Sequence, residues 1–504
     1  MVFCVAFPLL AWTTPATTSQ PNIVLFFPDE LRYDFGGLHN NPYYPANRSV
    51  LPLFTPSFDA LAARGMRFTR AFVGAPVCAP SRACLASGRQ YDENTVPMNF
   101  HNDFDDNVTT FYSILRDGGG YHTMITGRDD LDKSSGGPGD DGMKHTDTLG
   151  FSDSERCDGS TDVTRGGTPH DPYGEYLANL PFNCTVSKVD CETYNVSNLF
   201  DLKATRFSVI REHSRYAIET PQPLNGEIYQ DNWIGEQAIA LLKRRPMDRP
   251  FFIEISHQAP HPPMDVTADM IASNALRNRS MPLPTLNNAS AEPIGQHIVQ
   301  IGRQNYVGKI ERLDYWLGQY VLLLKAQGVL EDTIICIASD HGEMLFDRGM
   351  TAKSRPWSSA SSVPVICAGP GIAKDAVHTT AVSTVDLGPT FLDFAGLLKS
   401  APLGMSVNSL KSVLTGESTT PLRKIVRFGL NNFRGVVQTI NATHTMKFFC
   451  CATQNGEGAM KVRVFLISYD SMTEYLTILM MLLLYVGLPR VHRRRCGRVR
   501  SRRE

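Results

Sequence analysis

The sequence predicts an α/β fold: one large, mostly parallel sheet sandwiched by helices, with an incomplete or atypical smaller C-terminal antiparallel subdomain. Three observations carry this. Short apolar runs rich in β formers recur at Asn22 to Phe27, Phe251 to Ser256, Thr333 to Ala338 and Val363 to Ala368, as expected of strands buried on both faces. Helical stripes alternate with these runs, which points to parallel pairing. Several runs end in ionisable turns, at Pro28-Asp29-Glu30, His257 to Pro263 and Ser339-Asp340-His341-Gly342-Glu343. That is the sheet edge at which open α/β folds hold ligands.

Size and composition fit this reading. The 504 residues, 42% hydrophobic and 20% charged, can bury a sizeable core. Forty-nine basic and fifty acidic residues leave a net charge of −1, so no overall field favours nucleic acid. Residues 1–19, an apolar run followed by Thr, Pro, Ala and Ser, read as a secretory signal peptide, although its start lacks Lys and Arg. Seven Asn-x-Ser/Thr sequons, at Asn47, Asn107, Asn183, Asn195, Asn278, Asn288 and Asn441, are candidate glycosylation sites. Eleven cysteines are too scattered for a disulfide scaffold, and Cys157, Cys184 and Cys191 share one region in which a local bridge could form.

In chain order, Thr55 and Pro56 suit a helix start and Gly65 its stop, with Phe58, Leu61 and Ala62 on one face. Met66 to Phe72 leads into the stretch Cys78-Ala79-Pro80-Ser81-Arg82-Ala83-Cys84-Leu85-Ala86-Ser87-Gly88-Arg89. Pro80 suits the first turn of a helix, where backbone N–H groups favour an anion. Asp129 to Asp171 is rich in Gly, Asp, Ser and Thr and reads as surface excursions, with His145 and His170 as exposed loop residues. Asp231 is a candidate N-cap for a helix ending before Pro246. A further helix spans Tyr306 to Ala326, and Thr384 to Ala395 forms another, stopped by Gly396.

The stretch from Cys78 to Arg89 resembles the signature of the sulfatase family, Cys-x-Pro-Ser-Arg followed by Ala-x-Leu-x-Ser/Thr-Gly-Arg, at every fixed position. The resemblance runs from about Pro21 to Leu397. It implies an alkaline-phosphatase-like fold and a sulfuric ester hydrolase of the arylsulfatase type. It also implies that Cys78 is converted to formylglycine by a formylglycine-generating enzyme during synthesis. One hydroxyl of the hydrated aldehyde then attacks sulfur, and collapse to the aldehyde expels sulfate.

Further roles follow from the resemblance, residue by residue. Asp29, Asp340 and His341 match the family's cation ligands, with the modified Cys78 completing the set. Hard oxygen donors favour Ca2+ over a soft metal, and the resemblance implies calcium ahead of Mg2+. Glu30 stands where a second aspartate ligand is commoner. Arg82 matches the arginine that supports the formylglycine and the cation. His261, in Ala-Pro-His-Pro, matches the histidine at sulfate or the leaving oxygen, and Lys353 the lysine that binds sulfate and can protonate that oxygen. Arg128 falls where the family carries a sulfate-binding lysine; Lys133 is the alternative. Within the family, the wording around Cys78, His261 and Ser339 to Glu343 is closest to arylsulfatase K and iduronate 2-sulfatase, which makes a uronate 2-sulfate of a glycosaminoglycan the preferred substrate class.

The domain plan is thus a leader at 1–19, a catalytic domain at 20–420, a partial C-terminal subdomain at 421–470, and an apolar segment with an Arg-rich tail at 471–504. Tyr475 to Leu488 is an apolar run of fourteen residues before eight arginines between Arg490 and Arg503, and is a candidate membrane anchor. The expected placement is the secretory pathway, lysosomal or extracellular, with that anchor. Two other readings stand beside the enzyme: a non-catalytic sulfatase-like protein that binds sulfated glycans, and a phosphatase or phosphodiesterase of the same superfamily.

Overall fold

A computed structural model describes residues 20–35, 53–133, 142–157, 171–180, 215–219, 221, 226–273, 275–282, 284, 295–420, 423–440, 445–454 and 460–467. Nine strands form the main sheet: β1 Asn22–Phe26, β2 Gly65–Phe72, β3 His122–Gly127, β4 Asp153–Arg156, β5 Phe251–Ser256, β6 Thr333–Ile337, β7 Ser362–Ala368, β8 Ala376–His378 and β9 Val382–Ser383. Their order is β4-β3-β5-β1-β6-β7-β2-β8, with β9 also on β2. Every pairing is parallel except those of β7, which runs against both β6 and β2.

The period of two along β1 divides the core. Val24 and Phe26 face one side, packed with Phe58 of α1 (Pro56–Ala63) and with residues of two long helices described below; Ile23 and Leu25 face the other, with Ala83 and Leu85 of α2 (Cys78–Ser87). The first side is completed by α3 (Gln230–Arg244), through Ile234 and Leu241, and by α4 (Gln296–Ala326), through Tyr306, Ile310 and Leu317. Phe391 and Leu392 of α5 (Leu387–Phe394) complete the second side. Both faces of the sheet are covered, so its strands read as unbroken apolar runs in the sequence.

Four strands, β10 Ile425–Leu430, β11 Phe433–Thr439, β12 Thr445–Gln454 and β13 Met460–Ile467, form the antiparallel C-terminal sheet in chain order. Phe428, Val437 and Phe449 pack there against Phe72 and Val77. Only a start to this sheet is legible in the sequence, at Val426 to Phe449; β13 lies beyond it.

Several local expectations change. Thr55 makes no side-chain cap. The carboxylate of Asp314 on α4 accepts from Ser57 N at 3.1 Å and Phe58 N at 2.8 Å instead, so α1 is capped by another helix. Asp231 lies inside α3 and accepts from Ala259 N at 2.8 Å. The helix expected from Tyr306 begins a full ten residues earlier, at Gln296. Asp129, Asp130, Asp132 and Lys133 are buried, not on surface excursions; Arg156 pairs with both Asp129 and Asp132. The His145 side chain beside them is only 9% exposed. A disulfide joins Cys336 to Cys367 across β6 and β7, while Cys157 is buried beside Gln230; Cys184 and Cys191 lie outside the described residues.

The membrane anchor must be corrected. Among the described residues no helix is long and apolar enough to cross a membrane. The run from Tyr475 to Leu488 lies outside those residues, and its fourteen residues fall short of the ~20 that a span needs. The secretory, lysosomal or extracellular placement is withdrawn with it. Of the sequons, Asn107 and Asn278 are exposed; the other five, like the leader and the tail, lie outside the described residues.

Candidate active site

Cys78 is the first residue of α2, after an extended Val77, and Gly88 closes the helix in the left-handed conformation at φ 63°. All ten residues of α2 are buried, most of them small, with Arg82 satisfied by several acceptors. The helix start meets the carboxyl ends of β1 and β6. Cys78 Sγ lies 3.3 Å from His341 Nε2, and His341 Nδ1 donates to Gly342 O at 2.9 Å, which turns Nε2 toward the sulfur.

Asp29, Cys78, Asp340 and His341 bring one donor atom each within 4.8 Å of one another, and all four side chains are fully buried. Asp29 Oδ1 has no hydrogen-bond partner. Burial first and Asp340 second push the Asp29 carboxyl up to about 6, against Arg128, Lys353 and Arg82. An unpaired buried oxygen among two carboxylates and an imidazole fits a divalent cation. An oxygen at the place of the Cys78 sulfur would make the set harder still.

Arg82 braces this group from behind. Its Nε donates to Asp340 Oδ2 at 3.1 Å, its Nη2 lies 3.6 Å from Asp29 Oδ2, and its Nη1 donates to Arg128 O at 2.7 Å and Ser256 Oγ at 3.0 Å. A planar fork that serves several acceptors at once is a task for arginine, not lysine.

Lys353 and His261 stand on the open side, each side chain 14% exposed. Lys353 Nζ pairs with Glu30 Oε1, and His261 Nε2 lies 3.4 Å from the same oxygen. Burial disfavours the Lys353 ammonium, but Cys78, Glu30 and Asp29 outweigh it and hold the group charged. Burial, then Lys353, Arg128 and Lys133, push His261 well below its usual range. Burial and Asp29 raise the Cys78 thiol, and Lys353, Lys133 and His341 overcome both, so it titrates below an ordinary thiol. Arg128 binds Asp130, Gln258 at 3.2 Å and Asp29 at 3.4 Å, while Lys133 reaches Asp130 at 3.1 Å.

Backbone strain gathers here. Of ten non-glycine residues with positive φ among those described, Glu30, Asp130, Leu345, Phe346, Arg348, Ala352 and Ser354 lie on the segments that carry Asp29, Arg128 and Lys353. Such conformations cost roughly 1–3 kcal/mol each and mark functional segments. The loop bearing Lys353 is held by Glu343, which accepts from Leu345 N and Ala352 N, and by Arg32, which pairs with Asp347 at 2.8 Å.

The structure therefore brings together every candidate catalytic and cation-binding residue: Asp29, Glu30, Cys78, Arg82, Arg128, His261, Asp340, His341 and Lys353. It adds Glu254, Ser256, Tyr112 and Asp130. Glu254 accepts from Tyr112 at 2.6 Å and Ser256 at 3.0 Å and lies 3.9 Å from Arg82. Its signal in the sequence is that it is the one charged residue in the run from Phe251 to Ser256, a costly place for a carboxylate without partners.

Comparison with known proteins agrees with this geometry. The sulfatase family matches residues 21–397. An arylsulfatase from Clostridium perfringens is 24% identical over 429 residues, covering 80% of each chain. Rat (Rattus norvegicus) arylsulfatase K is 24% identical over 438 residues, covering 80% of this chain and 65% of that one, too distant to place the chain in that subfamily. In fold, the phosphonate monoester hydrolase of Silicibacter pomeroyi matches with TM-score 0.65 at 17% identity, covering 93% of this chain and 94% of that one. A protein solved with its substrate D-glucosamine-2-N,6-O-disulfate matches equally, with TM-score 0.65 at 18% identity over 93% and 97%. With its mostly parallel sheet, its antiparallel C-terminal subdomain and Cys78 at the head of a buried helix, the chain belongs to the sulfatase family and is a hydrolase of that family.

Proposed function

We propose that the chain hydrolyses a sulfate ester of a carbohydrate, with Cys78 as the precursor of a formylglycine and Ca2+ held by Asp29, Asp340 and His341. The observation that carries this is the position of Cys78, grouped with three other potential cation-binding residues, Asp29, Asp340 and His341, and within the field of the Lys353 ammonium. A bound cation would supply positive charge beside the sulfate, and the hydrated aldehyde would supply the hydroxyl that attacks sulfur.

The chain's own residues do the rest. Arg82 holds both cation-binding aspartates in place. Lys353, charged and partly open, attracts the sulfate and carries protons that can pass to the leaving oxygen. His261 donates from Nδ1 to the Pro262 carbonyl, which leaves Nε2 free to take a proton. Lys133, held on Asp130 at 3.1 Å, remains the alternative sulfate contact. Arg128, engaged with Asp29, Asp130 and Gln258, orients the aspartates instead.

The structural relative bound to a disulfated glucosamine supports a sulfated sugar. The likeness of wording to arylsulfatase K and iduronate 2-sulfatase makes a uronate 2-sulfate the first substrate to try. The test is peptide mass spectrometry of the Cys78 segment after co-expression with a formylglycine-generating enzyme, with para-nitrophenyl sulfate turnover measured alongside. Formylglycine and turnover are expected. Unmodified cysteine with no turnover would leave a glycan-binding homologue, and faster hydrolysis of a phosphate or phosphonate monoester would make the chain a phosphohydrolase.

A further inference from the structure

The structure assigns Glu30 a role apart from the cation: we infer that its carboxylate is the anchor that aims Lys353 at the substrate. Glu30 follows Asp29 directly, and two adjacent acids at a strand end invite the reading that both bind one ion. The backbone separates them. Glu30 is left-handed at φ 68°, which breaks the extended path that Asp29 continues alongside Pro260. The residue is pinned there, since its N–H donates to Asp340 Oδ1 at 3.1 Å and its carbonyl accepts from Tyr306.

The main chain of Glu30 therefore serves the cation-binding group while its side chain leaves it. The group around Cys78 is completed by three donors, Asp29, Asp340 and His341, without Glu30. Glu30 shares a second grouping with Asp29 and His261, but Lys353 Nζ already occupies its Oε1. A metal ion there would have to expel an ammonium that Cys78 and Asp29 also attract.

The pairing has a geometric purpose. Lys353 sits on a loop of left-handed residues and has a long stem with about 2 kcal/mol of rotamer entropy. One buried carboxylate at its tip fixes that freedom. Glu30 thus sets where the Lys353 ammonium meets the sulfate and the leaving oxygen. It is a positioning residue, acting through Lys353.

The inference rests on the hydrolase reading above, so its test has one arm that needs no turnover. Ca2+ binding is measured by calorimetry on the whole chain, comparing wild type, Glu30→Gln and Asp340→Asn. Glu30→Gln should bind within about 2-fold of wild type, whereas Asp340→Asn should lose on the order of 10-fold or more. The second arm is steady-state hydrolysis of aryl sulfates with leaving groups of rising pKa. Glu30→Gln should lower kcat more than it raises KM, by roughly 10- to 100-fold, and most for the poorest leaving groups. Combined with Lys353→Ala it should add little further loss, as for two members of one unit. Loss of Ca2+ in Glu30→Gln comparable to that in Asp340→Asn, absence of Ca2+ binding in wild type, or fully multiplicative losses with Lys353→Ala would each overturn the assignment. Wild type that binds Ca2+ but turns over no aryl sulfate would defeat the hydrolase reading, and the calorimetric comparison would still decide whether Glu30 is a ligand.

Discussion

Arg82 Nε donates to Asp340 Oδ2 at 3.1 Å, tying the helix that begins with Cys78 to the turn that follows β6. The bond joins residues 258 apart in the chain, and both side chains are at most 2% exposed. Arg82→Lys keeps a charge but cannot serve Asp340, Ser256 and the Arg128 carbonyl together. We expect aryl-sulfate kcat/KM to fall at least ~100-fold and stability by roughly 3–5 kcal/mol, the usual cost of breaking a buried pair. Steady-state kinetics and urea unfolding measure both.

Removing Lys353 should act on chemistry and also on stability, since it leaves the buried Glu30 without its ammonium. Lys353→Ala is expected to reduce kcat by about 10²–10⁴-fold, the range for a positioned proton donor, and to lower the unfolding midpoint. An equal loss across good and poor leaving groups would show that Lys353 binds sulfate without protonating the departing oxygen.

Chelation and pH are linked at Asp29. Without a cation, its carboxyl titrates at about 6 instead of 3.8. The folded state then keeps a proton that the unfolded chain has released, so stability falls as pH rises from about 4 to 6. Added Ca2+ should raise the melting temperature above pH 6 and flatten that slope. Thermal scans of EGTA-treated protein with and without Ca2+ test this, and no difference between them would remove the cation from the site.

Lys447 offers a stability test far from the chemistry. It is 4% exposed, donates to Ser361 Oγ at 2.6 Å and lies over the rings of Phe428 at 4.7 Å and Phe72 at 5.2 Å. Burial pushes its ammonium well below the usual range. The unfolded chain binds the proton more readily, so this residue costs stability at neutral pH, a cost that fades as pH rises toward the ordinary lysine value. Lys447→Met should raise the melting temperature by about 2–4 °C at pH 7 and by less at pH 10. Differential scanning calorimetry reads the shift.

Gly127, at the end of β3, has φ 83°, and a Cβ there would stand 2.0 Å from Ser256 O. Gly127→Ala must move the end of β5, where Ser256 receives Arg82 Nη1. Loss of both activity and folded yield is expected, as judged by size-exclusion chromatography; full activity would contradict the close approach of the two strands.

The fold was legible where residues act locally. The runs at β1, β5, β6 and β7 and the wording around Cys78 are contiguous, so composition and order reveal them. Asp29, Arg82, His261, Asp340, His341 and Lys353 were reached only through the resemblance to the sulfatase family, and the structure gathers their side chains around one group. What escaped depends on burial and on distant partners. Asp231 has the chemistry of a cap and serves Ala259 instead. Asp129 and Asp132 look like solvated loop acids and are buried on Arg156, whose pairing no local pattern encodes. Asp314 caps a helix 257 residues away, where only the tertiary fold brings donor and acceptor together. The Cys336–Cys367 bridge, 31 residues apart, follows from the antiparallel register of β6 and β7 and from nothing in the cysteine spacing.

That antiparallel β7 has a consequence for how such a site can diversify. A crossover helix returns the chain to the far edge of a sheet, but β6 and β7 are joined as a hairpin, so the segment between them leaves and re-enters at the edge where Cys78 lies. Its ends are clamped by Gly342 N on Ala360 O at 2.8 Å and by Val73 N on Ser361 O at 3.0 Å. The segment therefore has fixed hinges: Glu343 to Phe346 are buried in the core, and the partly exposed stretch from Arg348 to Arg355 is where side chains can change without disturbing a strand. Lys353 rides on that stretch. New substrate preference can be grafted there while the cation-binding end of β6 stays as it is.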